Sequence, residues 1–371
     1  WDPQHQQKLY ESWIIVLRNQ FHDIIPGSSI REVYEDSREE YAEALSLAEQ
    51  VYRDSAVKLG CADDPQSSAI TLFNSASWDR NELLVIPSDS FNEDGVWTDD
   101  QGRPLPAQRS YRGEWVVQSP DVPAFGLASI RFTPGNAPAS GDAVFQWSPG
   151  SLITPYYELQ WNEAGQWTRL YDREANREIL AAGELGNVLQ VFEDKPKGRH
   201  EAWDIDIFYQ EKLETVRHLL SAELVECGPL RAVVRFLWKY KDSSIEQDLI
   251  VYAGSRRLEL DTRVDWHEQR KLLKVSFPVA VRAVEATYDI QFGNVKRPTH
   301  WNTSWDQARF ETVGHFWADL SERGYGVSLL NDCKYGYDIK DHRMRLTLIK
   351  AAKVPDPSAD LGKHEFKSPV N

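Results

Sequence analysis

Over residues 3–22 the apolar side chains Leu9, Trp13, Leu17 and Phe21 recur at steps of four, with Tyr10 and Ile14 beside them, and this predicts an amphipathic helix. The other side carries Glu11, Arg18 and His22, with Ile15 as the exception. Pro26-Gly27 breaks the pattern. Ser29-Ile30-Arg31-Glu32 then reads as a capping box that opens a second helix over 29–58. Its inward line is Ile30, Tyr34, Ser37, Tyr41, Ala44, Ala48, Val51 and Ser55, alternating steps of four and three as in a packed helix pair. Glu39, Glu40, Glu43 and Glu49 read as a solvated face. Two such helices expose more apolar surface than they cover, so a third helix or the β region is expected to complete their packing.

Gly60 is expected to end the second helix, and 61–68 reads as a polar linker around Pro65. Beyond it the period falls to two, in short runs bounded by turn residues. Strands are predicted at 69–73, 82–86, 115–117 and 128–132, with loops over 74–81, 87–113 and 133–151. Residues 156–161 and 166–171 read as a hairpin across Glu163-Ala164-Gly165. Long strands follow at 231–240, 244–252, 257–266 and 271–281. Their short turns predict one large antiparallel sheet whose apolar face needs a second sheet. The expected fold class is α+β but mostly β: a short helical bundle segment at 1–65, a small antiparallel β-sandwich at 66–150 and a larger one at 151–371. No phosphate-binding glycine loop and no repeat of fixed period appears.

The net charge of −15 argues against nucleic acid or an anionic membrane surface as partner, and fits a neutral ligand. Three cysteines, Cys61, Cys227 and Cys333, form no paired framework and no Cys-x-x-Cys knuckle, which reads as reduced thiols in a cytoplasmic protein. No run approaches the ~18 apolar residues of a membrane span, and no secretory leader pattern is present. The 14 Trp, 15 Tyr and 14 Phe suit a large β core and sugar stacking alike.

Four groups of residues could carry chemistry. His22-Asp23 places an imidazole beside a carboxylate at a helix–turn–helix corner, a mount for a metal ligand or a sugar-hydroxyl acceptor. Asp204 and Asp206 stand two apart beside Trp203, which could hold a sugar or merely cap neighbouring amides. The 298–306 run combines His300, Trp301, Asn302, Thr303, Trp305 and Asp306, the residue types of a sugar subsite. His364-Glu365 matches no motif.

Gln20-Phe21-His22-Asp23 with the Pro26-Gly27-Ser28-Ser29 turn resembles the corner of the class II α-mannosidases, glycoside hydrolase family 38, in the bacterial and cytosolic branch. Phe192 to Pro196, Trp203 to Asp206, Asn302 to Asp306 and Leu329 to Gly336 extend the resemblance along nearly the whole chain. The resemblance implies a galactose-mutarotase-like supersandwich for the C-terminal region and a retaining, zinc-dependent hydrolysis of terminal α-linked mannose in oligosaccharides. In that family zinc is held by a His and two Asp of a catalytic domain plus a His of the central domain, and one of those Asp is the nucleophile. The metal, zinc or another divalent ion, binds sugar hydroxyls and favours the oxocarbenium-like transition state. By resemblance His22 is the fourth metal ligand and Asp23 binds a sugar hydroxyl. The remaining ligands, the nucleophile and the acid/base are expected upstream of Trp1, so the 371 residues alone are expected to be inactive and metal-free. The partners expected are the oligosaccharide and that catalytic domain, with homo-oligomerisation left open. A non-catalytic carbohydrate-binding module competes with this reading. An aldose-epimerase-like enzyme does so less well, having no use for the opening helices.

Overall fold

A computed structural model describes residues 2–59, 67–135, 144–198 and 200–370. Gly60, Cys61 and Pro65 lie outside them. The chain divides into two compact units: Trp1–Ile25 with Glu32–Ala143 and Gly228–Leu230, and Pro26–Arg31 with Val144–Cys227 and Arg231–Asn371.

The first unit opens with helices α1, Pro3–Asn19, and α2, Arg31–Lys58. Pro3 stands in the first turn of α1, where its missing N–H costs nothing, and the Asp2 carboxylate accepts the Gln4 amide as cap. A sandwich of two three-stranded sheets follows. One runs Ala69–Phe73, Leu127–Pro134, Gly95–Thr98 and the other Leu83–Ile86, Trp115–Gln118, Ala107–Arg109. Between them lie Trp97, Trp115, Ile130 and Phe132, the two indoles meeting edge to face at 6.3 Å. Two of these strands, Gly95–Thr98 and Ala107–Arg109, fall where 87–113 was expected to be loop. Runs of three or four residues between Asn, Asp, Gly and Pro are too short to show an alternation. Gln146–Ser148 corrects the 133–151 loop in the same way, in the second unit, and Ser151–Ile153 begins at its last residue.

In the second unit every sheet is antiparallel. A five-stranded sheet runs His218–Cys227, Arg231–Tyr240, Ser243–Tyr252, Glu259–Trp266, Gly362–Lys367. A six-stranded sheet runs Leu213–Thr215, Val188–Glu193, Lys271–Pro278, Arg343–Lys350, Gly336–Lys340, Thr312–Val313. The expected 156–171 hairpin is present as Tyr157–Trp161 and Trp167–Asp172, central to a second five-stranded sheet, and a four-stranded sheet is completed by Tyr325–Leu330. All four sheets feed one apolar core that includes Leu159, Val191, Phe236, Leu273, Tyr288 and Leu346. The fold class is as expected, a mostly antiparallel β chain behind a short helical segment.

One element departs from the expected meander. The strand Lys271–Pro278 does not stay with its three predecessors but enters the centre of the six-stranded sheet. The reason is its two buried faces. Leu273, Val275 and Phe277 join the large core, while Leu272 packs against Phe192 and Tyr209 on the opposite face. Lys274 shares that opposite face and has no exposed surface. Its ammonium pairs with Glu311 and, at 3.3 Å, with Asp338. Arg345 closes on Asp338 at 2.7 Å, and the Tyr209 hydroxyl donates to both Glu311 and Asp338. Two positive and two negative groups therefore balance under the turn of 3₁₀ helix Ile207–Glu211. Burial holds the Glu311 carboxyl above the usual carboxylate range, and Asp338 adds to that against the pull of Lys274.

Removing the ammonium leaves the buried Glu311 without a cation beside Asp338, which keeps only Arg345, so Lys274→Met should lower stability by about 3–5 kcal/mol near neutral pH. A raised folded-state pKa at Glu311 means a contribution that is full below the unfolded-state value and lost as pH rises through the folded one. The deficit of the variant should accordingly shrink as pH falls toward the ordinary carboxylate range. Urea midpoints for wild type, Lys274→Met and Lys274→Met/Glu311→Gln check both statements, with the double variant recovering part of the loss.

Candidate functional site

The corner between α1 and α2 is held by polar chemistry. Along the antiparallel pair Lys58 meets Asp2 at 3.2 Å, His5 meets Asp54 at 3.0 Å and Lys8 donates to Gln50 at 2.9 Å. Further along, the Ser12 hydroxyl donates to the Ala44 carbonyl at 3.1 Å, and Asn19 donates to Glu40 at 2.7 Å. Residues 5, 8, 12, 15 and 19 thus form the seam, with Ser12, Ile15 and Asn19 buried.

The apolar stripe of α1 is not the side that meets α2. Trp13 and Leu17 of the apolar stripe are each 61% exposed and Phe21 is 55% exposed, whereas Ile15, the apparent exception, faces inward. Hydrogen bonding through small side chains fixes the contact, and the two stripes have the same helical period. In α2 the expected inward line holds from Tyr34 to Ser55, Ala44 being fully buried, but Ile30 is exposed and lies before the helix start. Glu40 is no mere solvated residue: it takes Asn19 and Arg18 together.

α1 ends at Asn19, earlier than expected, because the Gln20 and Phe21 amides bond the carbonyls of Leu17 and Arg18 and tighten the chain. His22 and Asp23 therefore sit in the turn that follows. The left-handed conformation of Gly27, φ +79°, completes that turn. His22 Nε2 and Asp23 Oδ2 lie 3.4 Å apart with side chains 68% and 44% exposed. The imidazole leans on Phe21, ring centroids 4.3 Å apart, and Tyr34 donates to the Asp23 carbonyl at 3.3 Å. An imidazole beside a carboxylate can hold one side of a cation or accept hydroxyl protons. Among the described residues no three or more His, Cys, Asp or Glu are grouped to hold a metal ion. A catalytic zinc usually has about three protein ligands, so these residues do not fit a zinc centre by themselves.

The other candidates are occupied locally. Asp206 accepts the Lys197 amide at 2.9 Å, and the Asp204 carbonyl takes Lys350 Nζ at 3.0 Å beside a half-exposed Trp203. In the 298–306 run Thr303 and Asp306 cap each other at the start of the short helix α3, Ser304–Gln307. His300 stands 3.7 Å from Asp306, Lys340 lies over Trp301 at 3.9 Å, and Trp305 is largely exposed. His364 meets the Asp360 carbonyl at 2.8 Å. The buried Lys274 group was not foreseen, its one trace being a lysine set in an otherwise apolar run.

Residues 1–59 match the alpha mannosidase middle domain, and residues 152–358, more than half of the chain, match the glycosyl hydrolases family 38 C-terminal domain. The chain belongs to glycosyl hydrolase family 38. Among relatives of this family 38 chain, human alpha-mannosidase 2C1 is 34% identical over 366 residues, 97% of this chain and 33% of that protein. Alpha-mannosidase G of Dictyostelium discoideum is 34% identical over 404 residues, 96% of this chain and 36% of that protein. The chain thus spans about a third of the length of the curated relatives it matches. An alpha-mannosidase structure from Enterococcus faecalis V583 superimposes with a TM-score of 0.79 over 99% of this chain and 50% of that one, at 13% identity, a likeness of fold.

The seam that mounts the corner can be tested alone. Asn19→Ala removes two buried hydrogen bonds. Each such bond is worth about 0.5–1.5 kcal/mol, so the loss of two should lower protection of α1 amides against hydrogen exchange by roughly tenfold to a hundredfold, read by mass spectrometry.

Proposed function

We propose that these residues are the middle and C-terminal part of a retaining, zinc-dependent α-mannosidase that hydrolyses terminal α-linked mannose from oligosaccharides in the cytoplasm. The observation that carries the reading is the His22–Asp23 pair, presented outward from a rigid helical corner in a family 38 chain. In this reading His22 supplies one metal ligand and Asp23 accepts a sugar hydroxyl. The other ligands and both catalytic carboxylates come from a catalytic domain outside the 371 residues. The exposed stripe of Leu9, Trp13, Leu17 and Phe21 offers apolar surface for further protein to cover. The division at 65 and 150 belongs to this reading, as does the role of the β regions as scaffold. Among the described residues no helix is long and apolar enough to cross a membrane. Support also comes from relatives about three times as long that carry the name alpha-mannosidase.

Retention requires a nucleophilic carboxylate and an acid/base on opposite sides of the bond. The 371-residue chain assayed with an aryl α-mannoside and added divalent metal should therefore release no nitrophenol above background. Turnover matching that of a complete enzyme would place the carboxylates inside the chain.

In the protein joined to its catalytic domain, His22→Ala should lower metal content and kcat/KM together, since each ligand supports the hold of the others. Asp23→Asn should leave metal content near wild type while raising KM or lowering kcat. Metal analysis by mass spectrometry beside steady-state kinetics separates the two roles. Full metal and full activity in His22→Ala would remove the basis of the proposal.

A further inference from the structure

A cavity of about 380 Å³ opens among the second unit's strands, where the start of Tyr157–Trp161 approaches the turn between Trp317–Glu322 and Tyr325–Leu330. No residue lining it was singled out from the sequence. It would hold about a dozen waters at ~30 Å³ each, which is also room for one small organic molecule.

Its polar lining is built around two hydrogen-bonded carboxylates. Asp172, 2% exposed, accepts the amides of Glu174 and Ala175 at 3.0 and 2.8 Å, the Tyr325 hydroxyl at 3.2 Å and Arg256 at 3.4 Å. Asp319 accepts the hydroxyls of Ser321 and Ser328 at 2.7 and 2.9 Å. Tyr157 also lines the cavity: the residue is 6% exposed, and its hydroxyl is not one of the fully buried, unpaired polar atoms of the described residues. Burial, with Asp172 nearby, pushes that phenol up to about 12, so it stays protonated and able to donate. That hydroxyl is therefore a donor available at the cavity wall.

The lining also restricts what the partner can be. Two carboxylates against one guanidinium leave a net negative charge, which disfavours phosphates and carboxylates. Ionised groups and several hydroxyls disfavour a purely apolar guest. Hydroxyls and carboxylates share the wall with Leu170, Leu258 and Val327. That combination matches a ring with polar edges and C–H faces.

We infer that this cavity binds a neutral polyol of monosaccharide size, with Tyr157 donating to one of its oxygens and Asp319 accepting from a hydroxyl. The site is formed wholly by residues of the second unit, and its test needs no catalysis.

The probes are D-mannose, D-galactose and myo-inositol, each titrated into the 371-residue chain and followed by saturation-transfer NMR and thermal midpoint. At least one should bind saturably in the millimolar range. Tyr157→Phe, which keeps the ring in the core, should weaken that binding by about tenfold, the worth of one hydrogen bond. Ser321→Tyr, a change at an exposed position on the rim, should block it while leaving the circular dichroism spectrum unchanged. Absence of saturable binding by all three probes would overturn the inference, as would wild-type affinity in both Tyr157→Phe and Ser321→Tyr.

Discussion

An ammonium group with no exposed surface must be answered by carboxylates, and in this chain Lys274 organises a whole sheet face around that demand. Asp338 comes from the neighbouring-but-one strand, Glu311 from the segment after α3, and Tyr209 from a 3₁₀ turn laid across the top. Each is pinned to the six-stranded sheet by the same charge. Because the other side of Lys271–Pro278 is filled by Leu273, Val275 and Phe277, the strand has no solvent face and can only be central. The four residues 267–270, with Arg270 in the left-handed region at φ 54°, carry the chain from one sheet to the other.

The helical corner follows the opposite logic. There polar pairs fix the contact around Ile15 and Ala44, and much of the apolar surface of α1 is turned outward. A hydrophobic seam would tolerate sliding between equivalent turns, whereas Asp2 to Lys58, His5 to Asp54 and Asn19 to Glu40 permit one register. The turn bearing His22 and Asp23 inherits that register, so its position depends on donors and acceptors rather than on buried area.

Much of this architecture was legible in the residues, and the losses have physical causes. Strands long enough to alternate, such as Arg231–Tyr240 and Ser243–Tyr252, were found with correct neighbours. Gly95–Thr98 and Ala107–Arg109 were hidden by turn residues on both sides. The Lys271–Pro278 strand was found, but its sheet was not. A strand buried on two faces loses the alternation that assigns a face, and nothing local tells which neighbours it will join. At the corner the motif points to His22 and Asp23, whereas the side of α1 that meets α2 is not legible, because periodicity measures spacing and not which stripe is preferred. The cavity beside Tyr157 left no trace at all, since its lining is gathered from strands far apart in the chain.

The route of Lys271–Pro278 also bears on how the chain comes together in time. Four strands of the larger five-stranded sheet follow one another between His218 and Trp266, joined by short turns, so they can pair as they leave the ribosome. The six-stranded sheet instead gathers Val188–Glu193, Lys271–Pro278 and Arg343–Lys350, segments separated by scores of residues. Closing such loops is entropically costly until the distant contacts form, and high contact order slows folding. Until Arg343–Lys350 is synthesised, Lys271–Pro278 has a bare edge and a lysine with an incomplete set of partners. The nascent chain therefore passes through a stage in which half of the sandwich is assembled and the most buried strand of the other half is waiting, the stage at which it most needs protection from its neighbours.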